Sequence, residues 1–240
     1  MPLLMLIVNY LLLNFNPLTM SLRYRNTSGH VKNRAQTMQR LVEAVGAIIK
    51  IKGYKGLGLN AVAKEADVSK SLVYRYFGSL DGLVEAYVLK NDYWIAKSSE
   101  VAQGVLVDND RQGVGEMVKK LLHGHFEYFY THPEMRSIIL WEITEKTMLL
   151  NSICNCREEV GGLLLEKAEP LFKGSGKSFK GVTALLVSAI YYMVLHAKKN
   201  ESTICGIDVN SAAGQKEILD TIDQIVDWAC AADSAEKLVG

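Results

Sequence analysis

Proline is nearly absent: Pro2, Pro17, Pro133 and Pro170 are the only four, so residues 18–132 contain no helix breaker. Few alternating, strand-like runs occur either, and the chain reads as all-α. Cysteine is equally scarce. Cys154, Cys156, Cys205 and Cys230 include no C-x-x-C pair and are too few for a disulfide framework, so free thiols in a reducing cytoplasm are expected. The same two early cysteines with His123, His125 and His132 lack metal-site spacing, because His123 and His125 would point to different faces of a helix. No metal site is expected.

A bilayer-spanning run is missing as well. Residues 1–22 carry no charge, but the apolar stretch Leu3–Leu13 is too short to cross a membrane and is interrupted by Asn9. It lacks the positive start and small-residue cleavage site of a secretory signal. Met20 stands just before the first basic residues, so translation is expected to begin there, the alternatives being a disordered arm or a weak membrane anchor; no stable membrane insertion is expected.

Excess charge is the last thing lacking: 27 Lys+Arg against 26 Asp+Glu give a formal net charge of +1. The total hides a segregation. From Arg23 to Phe77 there are 11 basic residues against three acids, or +8, leaving 16 basic and 23 acidic residues elsewhere, or −7. A basic segment joined to an acidic body suggests a polyanion partner. With 49% hydrophobic and 22% charged residues in 240, wholesale disorder and collagen are excluded and a sizeable core is possible.

Within the basic segment, Met38, Leu41, Val42, Val45, Ile48 and Ile49 follow the stripe of a helix over Lys32 to Lys52, stopped by Gly53. Leu59, Val62, Ala63 and Ala66 repeat that spacing in a second helix starting near Gly58, unless Asn60 is its N-cap. Asp67 suits a positive φ, Val68 plugs the corner, and Ser69 is a suitable N-cap for a third helix, Lys70 to Phe77. Ser79 caps a fourth, on which Leu83, Val84, Tyr87, Val88, Asn91 and Trp94 share one side.

Two short helices about a three-residue turn form the pattern that enters the major groove. With Val73 turned to the core and Phe77 beside it, Ser71 and Arg75 face outward, flanked by Leu72 and Tyr74. Arg75 offers two donors to guanine O6 and N7, Ser71 donates or accepts, and Leu72 packs on a thymine methyl; Lys70 and Tyr76 suit phosphates, and Tyr74 suits either purpose.

The stretch VEAVGAIIKIKGYKGLGLNAVAKEADVSKSLVYRYFGSLDGL, centred on AVAKEADVSKSLVYRYF, resembles the N-terminal domain of the TetR family of bacterial transcriptional regulators. The resemblance implies a motif over residues 58–77, with Lys70, Ser71, Leu72, Tyr74 and Arg75 over the groove, Tyr76 near phosphate and Asn60 close to DNA. Arg23, Arg25, Lys32 and Arg34 would form a basic arm. Where the family usually has a Thr/Ser pair, a turn glycine and a lysine, this chain has Leu57-Gly58, Asp67 and Leu80. Two phosphate contacts are thereby lost, which leaves affinity to the arm and the recognition helix. The implied organisation is an apolar extension (1–22), a DNA-binding domain (23–82) and an effector-binding and dimerisation domain (83–240).

Apolar helical stretches continue over Gly115 to Tyr130, Ser137 to Leu150, Glu158 to Ala168, Phe179 to Ala197 and Gln215 to Ala231. The resemblance makes the last two the homodimer helices, and their pattern agrees. Val182, Leu185, Leu186, Ala189, Ile190, Met193 and Val194, with Ile218, Ile222, Ile225, Val226 and Trp228, exceed what one core face needs. An effector pocket is expected around His123, Phe126, Tyr130, Trp141, Glu145 and Tyr191, apolar with a few orienting groups.

The run GSGKS, Gly174 to Ser178, resembles the end of a phosphate-binding loop, but its first glycine would fall at Leu171 with no strand before it. It reads as an interhelical loop. No Ser/His/Asp or paired-carboxylate motif is found, so neither catalysis nor a cofactor is expected. The chain is expected to be a ligand-responsive regulator, a repressor, binding double-stranded operator DNA as a homodimer. The alternative is a helical adaptor that docks an acidic partner or membrane surface through the basic segment.

Overall fold

A computed structural model describes residues 28–97 and 110–231, without the side chains of residues 28–32 and Leu163. The expectations for residues 1–22, for Arg23 and Arg25, and for the side chain of Lys32 lie outside the described residues. The described residues form α1 (Ser28–Lys52), a 3-10 turn (Tyr54–Gly56), α2 (Leu59–Glu65), α3 (Lys70–Phe77), α4 (Leu80–Asn91), α5 (Tyr93–Ala96), α6 (Arg111–Thr131), α7 (Pro133–Thr144), α8 (Met148–Phe172), α9 (Phe179–Asn200) and α10 (Ala212–Cys230). No strand occurs among them, only an isolated bridge between Ile204 and Ile207. The fold is all-α.

The chain divides into two compact units. Of the described residues, the first takes those up to Ala96 together with Pro133–Val160, and the second takes those between Lys97 and His132 and from Gly161 onward.

In the first unit, α1 buries Leu41, Val42, Val45, Ile48 and Ile49, the stripe expected of it. Gly46 lets α4 approach closely, since a Cβ there would lie 2.7 Å from the Tyr87 ring. α2 begins at an extended Gly58, not at Asn60, and glycine has no side chain with which to cap it. α3 spans Lys70–Phe77, and Ser79 caps α4 by accepting from the Gly82 N–H at 3.0 Å.

Two boundaries differ from expectation because a polar side chain starts a new helix, and the stretch Glu158 to Ala168 is part of the longer α8. α4 stops at Asn91, where Asp92 Oδ1 accepts from the N–H groups of Trp94 and Ile95 (3.0 and 3.3 Å), which puts Trp94 on α5. The stretch Ser137 to Leu150 is broken after Thr144, and Thr147 Oγ1 accepts from the Leu150 N–H at 3.1 Å to open α8. Pro133 occupies the first turn of α7, where its missing N–H costs nothing.

In the second unit, α6 packs against α9 and α10. It buries Val114, Val118, Leu121, Leu122, Phe126 and Phe129, while α9 contributes Leu186, Ile190 and Val194, and α10 contributes Ile222 and Val226. The GSGKS segment is the loop before α9, where Gly174 and Gly176 have positive φ and Ser178 caps the helix from Gly181.

Candidate nucleic-acid interface

The turn between α2 and α3 is closed by backbone hydrogen bonds. Asp67 adopts a left-handed φ of 49°; its N–H donates to Lys64 O at 3.1 Å, and the Val68 N–H donates to Ala63 O at 3.0 Å. That is a Schellman closure with aspartate in the place glycine favours. Arg40 of α1 completes it. One of its guanidinium nitrogens donates to Ala66 O, to Asp67 O at 3.0 Å and to the Asp67 carboxylate at 3.4 Å. The carbonyls left over at the end of α2 thus gain a charged donor.

On α3, Val73 is fully buried while Lys70, Ser71, Tyr74 and Arg75 are exposed and Leu72, Tyr76 and Phe77 are half-buried. One buried anchor thus fixes the rotation of the helix and turns Ser71 and Arg75 outward. Ser69 occupies the N-cap position but makes no side-chain cap, because its hydroxyl pairs with that of Ser71 at 2.8 Å. The Tyr76 ring gathers two guanidiniums, Arg34 at 5.5 Å and Arg75 at 6.0 Å from its centroid, within range of cation–π attraction. Asn60, Lys64, Asp67, Ser69 and Lys70 line an open depression beside the turn. Arg40 and Lys64 were not among the expected site residues; Lys64 carried the signal, an exposed base beside Asn60, and Arg40 carried none.

The six expected effector-site residues are divided between the units. Trp141 and Glu145 belong to the first, where Trp141 stacks on Tyr54 at 5.1 Å and its indole N–H donates to Glu145 at 3.3 Å. His123, Phe126, Tyr130 and Tyr191 belong to the second. There the Tyr191 ring meets His125 at 4.7 Å and Phe129 at 4.9 Å, both edge-on, and Phe126 stacks with Tyr130 at 6.0 Å. His123 Nε2 lies 2.7 Å from an Asp223 carboxylate oxygen, and Tyr130 donates to Asn210 at 3.3 Å beneath the Lys198 ammonium. His125, buried against Tyr191, was not among the expected residues.

The surplus apolar positions of α9 and α10 fall into three sets. Leu186, Ile190, Val194, Ile222 and Val226 are buried, and Val182, Ala189, Met193, Ile218 and Ile225 are half-buried. Leu185 is 73% exposed and Trp228 66%, joined by Tyr192 at 64%. α9 is also long and apolar enough to cross a membrane by length and composition.

A short helix pinned by one valine behind a serine, tyrosine and arginine face, entered through a tight turn, defines a helix-turn-helix protein. Residues 41–87 match the family model described as "Bacterial regulatory proteins, tetR family". A curated relative, "Probable HTH-type transcriptional regulator YttP" of Bacillus subtilis (strain 168), is 23% identical over 120 residues, half of this chain and 56% of that one. Among solved structures, FadR from Bacillus subtilis in complex with stearoyl-CoA is similar with TM-score 0.56 and 12% identity over 80% of this chain and 97% of its own. A TetR family transcription regulator from Marinobacter aquaeolei VT8 is similar with TM-score 0.56 and 15% identity over 81% and 97%. At these identities the structural likeness is one of fold. Over residues 41–87 the chain is thus similar to the bacterial regulatory proteins of the tetR family.

Proposed function

We propose that the chain is a cytoplasmic, ligand-responsive transcriptional repressor that binds a palindromic operator as a homodimer and releases it when a small effector binds. The observation that carries this is α3: Ser71, Tyr74 and Arg75 stand exposed on a short helix whose rotation is fixed by buried Val73. Arg75 reads guanine, Ser71 a neighbouring base edge and Leu72 a thymine methyl, while Tyr74 serves base or phosphate. Lys70, Tyr76 and Asn60 hold phosphates, assisted by Arg34 and by Arg23, Arg25 and Lys32 of the arm. No catalytic step or cofactor belongs to this reading.

The partner subunit is a second copy of this chain, docked on α9 and α10 through Leu185, Tyr192 and Trp228. It would set two α3 helices roughly 34 to 36 Å apart, one turn of DNA. The effector is assigned to the second unit, among His123, Phe126, Tyr130 and Tyr191. Its binding would shift the spacing of the two α3 helices through α4, and linkage requires that operator DNA weaken effector binding by the same factor.

Footprinting of the DNA upstream of its own gene, over a range of salt and with candidate effectors, tests this. Acyl-CoA compounds come first, since one protein of the same fold holds stearoyl-CoA. A protected palindrome that steep salt dependence weakens is the expected result; no footprint at low salt would return the chain to the adaptor reading. Arg75→Ala should cut the preference for operator over random DNA about tenfold or more, whereas Lys70→Ala should weaken both about equally. The reverse pattern would overturn the assigned roles.

A further inference from the structure

We propose that Asp67 is a charge brake on the DNA backbone and that Arg40 sets its strength; this rests on the DNA-binding reading above. The carboxylate is 98% exposed, in a turn otherwise shaped for contact with a polyanion. It lines the same depression as Lys64, Lys70, Asn60 and Ser69, and it is the only acid among those lining residues. In helix-turn-helix proteins the first helix of the motif crosses the phosphate backbone, so the turn that follows it stands close to phosphates. A carboxylate there repels them and offsets part of what the two lysines attract.

Asp67 gains little for the fold that a neutral residue would not give. Its backbone sits in the left-handed region, which asparagine and glycine enter as readily as aspartate. The bonds that close the turn run between backbone groups and from Arg40 to two carbonyls, and neither set needs a carboxylate. The remaining contact, Arg40 to the carboxylate at 3.4 Å, is a surface pair of small energy. What the carboxylate adds is charge. Arg40 neutralises part of it, and its reach from α1 to the turn makes the guanidinium a positioning group for α2 and α3 at the same time. The consequence is lower occupancy of DNA of any sequence: a brake on backbone affinity weakens binding to every sequence alike and leaves the ratio between operator and random DNA to base readout by α3.

The test compares the full chain with Asp67→Asn and Asp67→Gly on a labelled random-sequence duplex and on the footprinted operator, by fluorescence anisotropy across a range of salt. Asparagine keeps the backbone conformation and an acceptor for Arg40, so its effect isolates charge. Asp67→Asn is expected to bind random duplex about threefold more tightly at low salt. Its plot of log affinity against log salt should steepen by about one unit. Arg40→Gln is expected to weaken binding several-fold in the native chain and by clearly less in the Asp67→Asn background, with circular dichroism confirming that each variant is folded. Equal affinity and equal salt slope for the native chain and Asp67→Asn would overturn the brake alone. A native chain that binds no duplex at low salt would overturn the DNA reading and the brake with it.

Discussion

Asp67, Val73 and Arg40 lie within one motif, yet they differ in how far the sequence declares them. The turn and the rotation of α3 follow from local geometry: a helical repeat turns Ser71 and Arg75 away once Val73 is buried, and aspartate tolerates a left-handed φ. The brace by Arg40 does not, because its acceptors lie 26 and 27 residues later and no periodicity encodes that pairing. The thiols differ in the same way. Cys205 is exposed, whereas burial pushes Cys156 and Cys230 above the ordinary thiol range and, with Glu142 beside it, raises Cys154 to about 11. Because thiolates are the nucleophiles, a thiol reagent near neutral pH should modify Cys205 first, with one fast equivalent per chain and three slow ones. A peptide map showing Cys156 labelled first would refute this ordering. The sign for stability follows: the unfolded chain ionises these thiols from about pH 9, before the folded chain does, so their contribution is complete below that pH and is lost as pH rises, for Cys154 toward about 11.

Helix starts repeat one device. Ser79, Asp110, Ser178 and Ser211 each accept from the N–H of a glycine three residues on, at 3.0, 2.7, 3.1 and 3.0 Å. At Gly82 and Gly214 a Cβ would stand 2.3 and 2.0 Å from a carbonyl oxygen, so the tight entry admits only glycine. Of these only Ser79 is expected as a cap from the sequence; the rest carry the same local signal. The buried polar knot in the first unit carried none. Asp92, whose side chain is 6% exposed, starts α5 with one carboxylate oxygen and with the other accepts from Arg157 at 2.7 Å, and Arg157 also pairs with Glu142. These groups are 65 and 15 residues apart and meet only once α4, α7 and α8 are packed. Removing one partner strands a buried charge, so Arg157→Met should lower unfolding stability by about 3 kcal/mol or more. Urea denaturation measures it; a loss under about 1 kcal/mol would show that water already solvates Asp92.

For the whole chain, the near-zero net charge is the sum of a +8 reader and a −7 remainder, and that much is visible in residue order alone. What residue order did not reveal is that Pro133–Val160 groups with the reader. Contacts such as Tyr54 on Trp141, and the Tyr54 N–H donating to Ser137 at 3.1 Å, join residues more than eighty positions apart. The apolar surplus of α9 and α10 was visible, and the structure leaves part of it uncovered: Leu185 and Tyr192 are two helical turns apart on one side of α9, and Trp228 stands out on α10, which packs beside it. If a second copy covers these residues, charges placed there should separate the subunits without unfolding them, since neither Leu185 nor Trp228 supports its own core. The double variant Leu185→Asp, Trp228→Asp should sediment as a monomer where the native chain sediments as a dimer, with a closely similar melting temperature. Palindromic operator binding should then fall by about a hundredfold or more, because two linked heads bind with an effective concentration that single heads lack. A variant that remains a dimer would move the interface elsewhere on the chain, and a native chain that sediments as a monomer would remove the two-headed operator complex altogether.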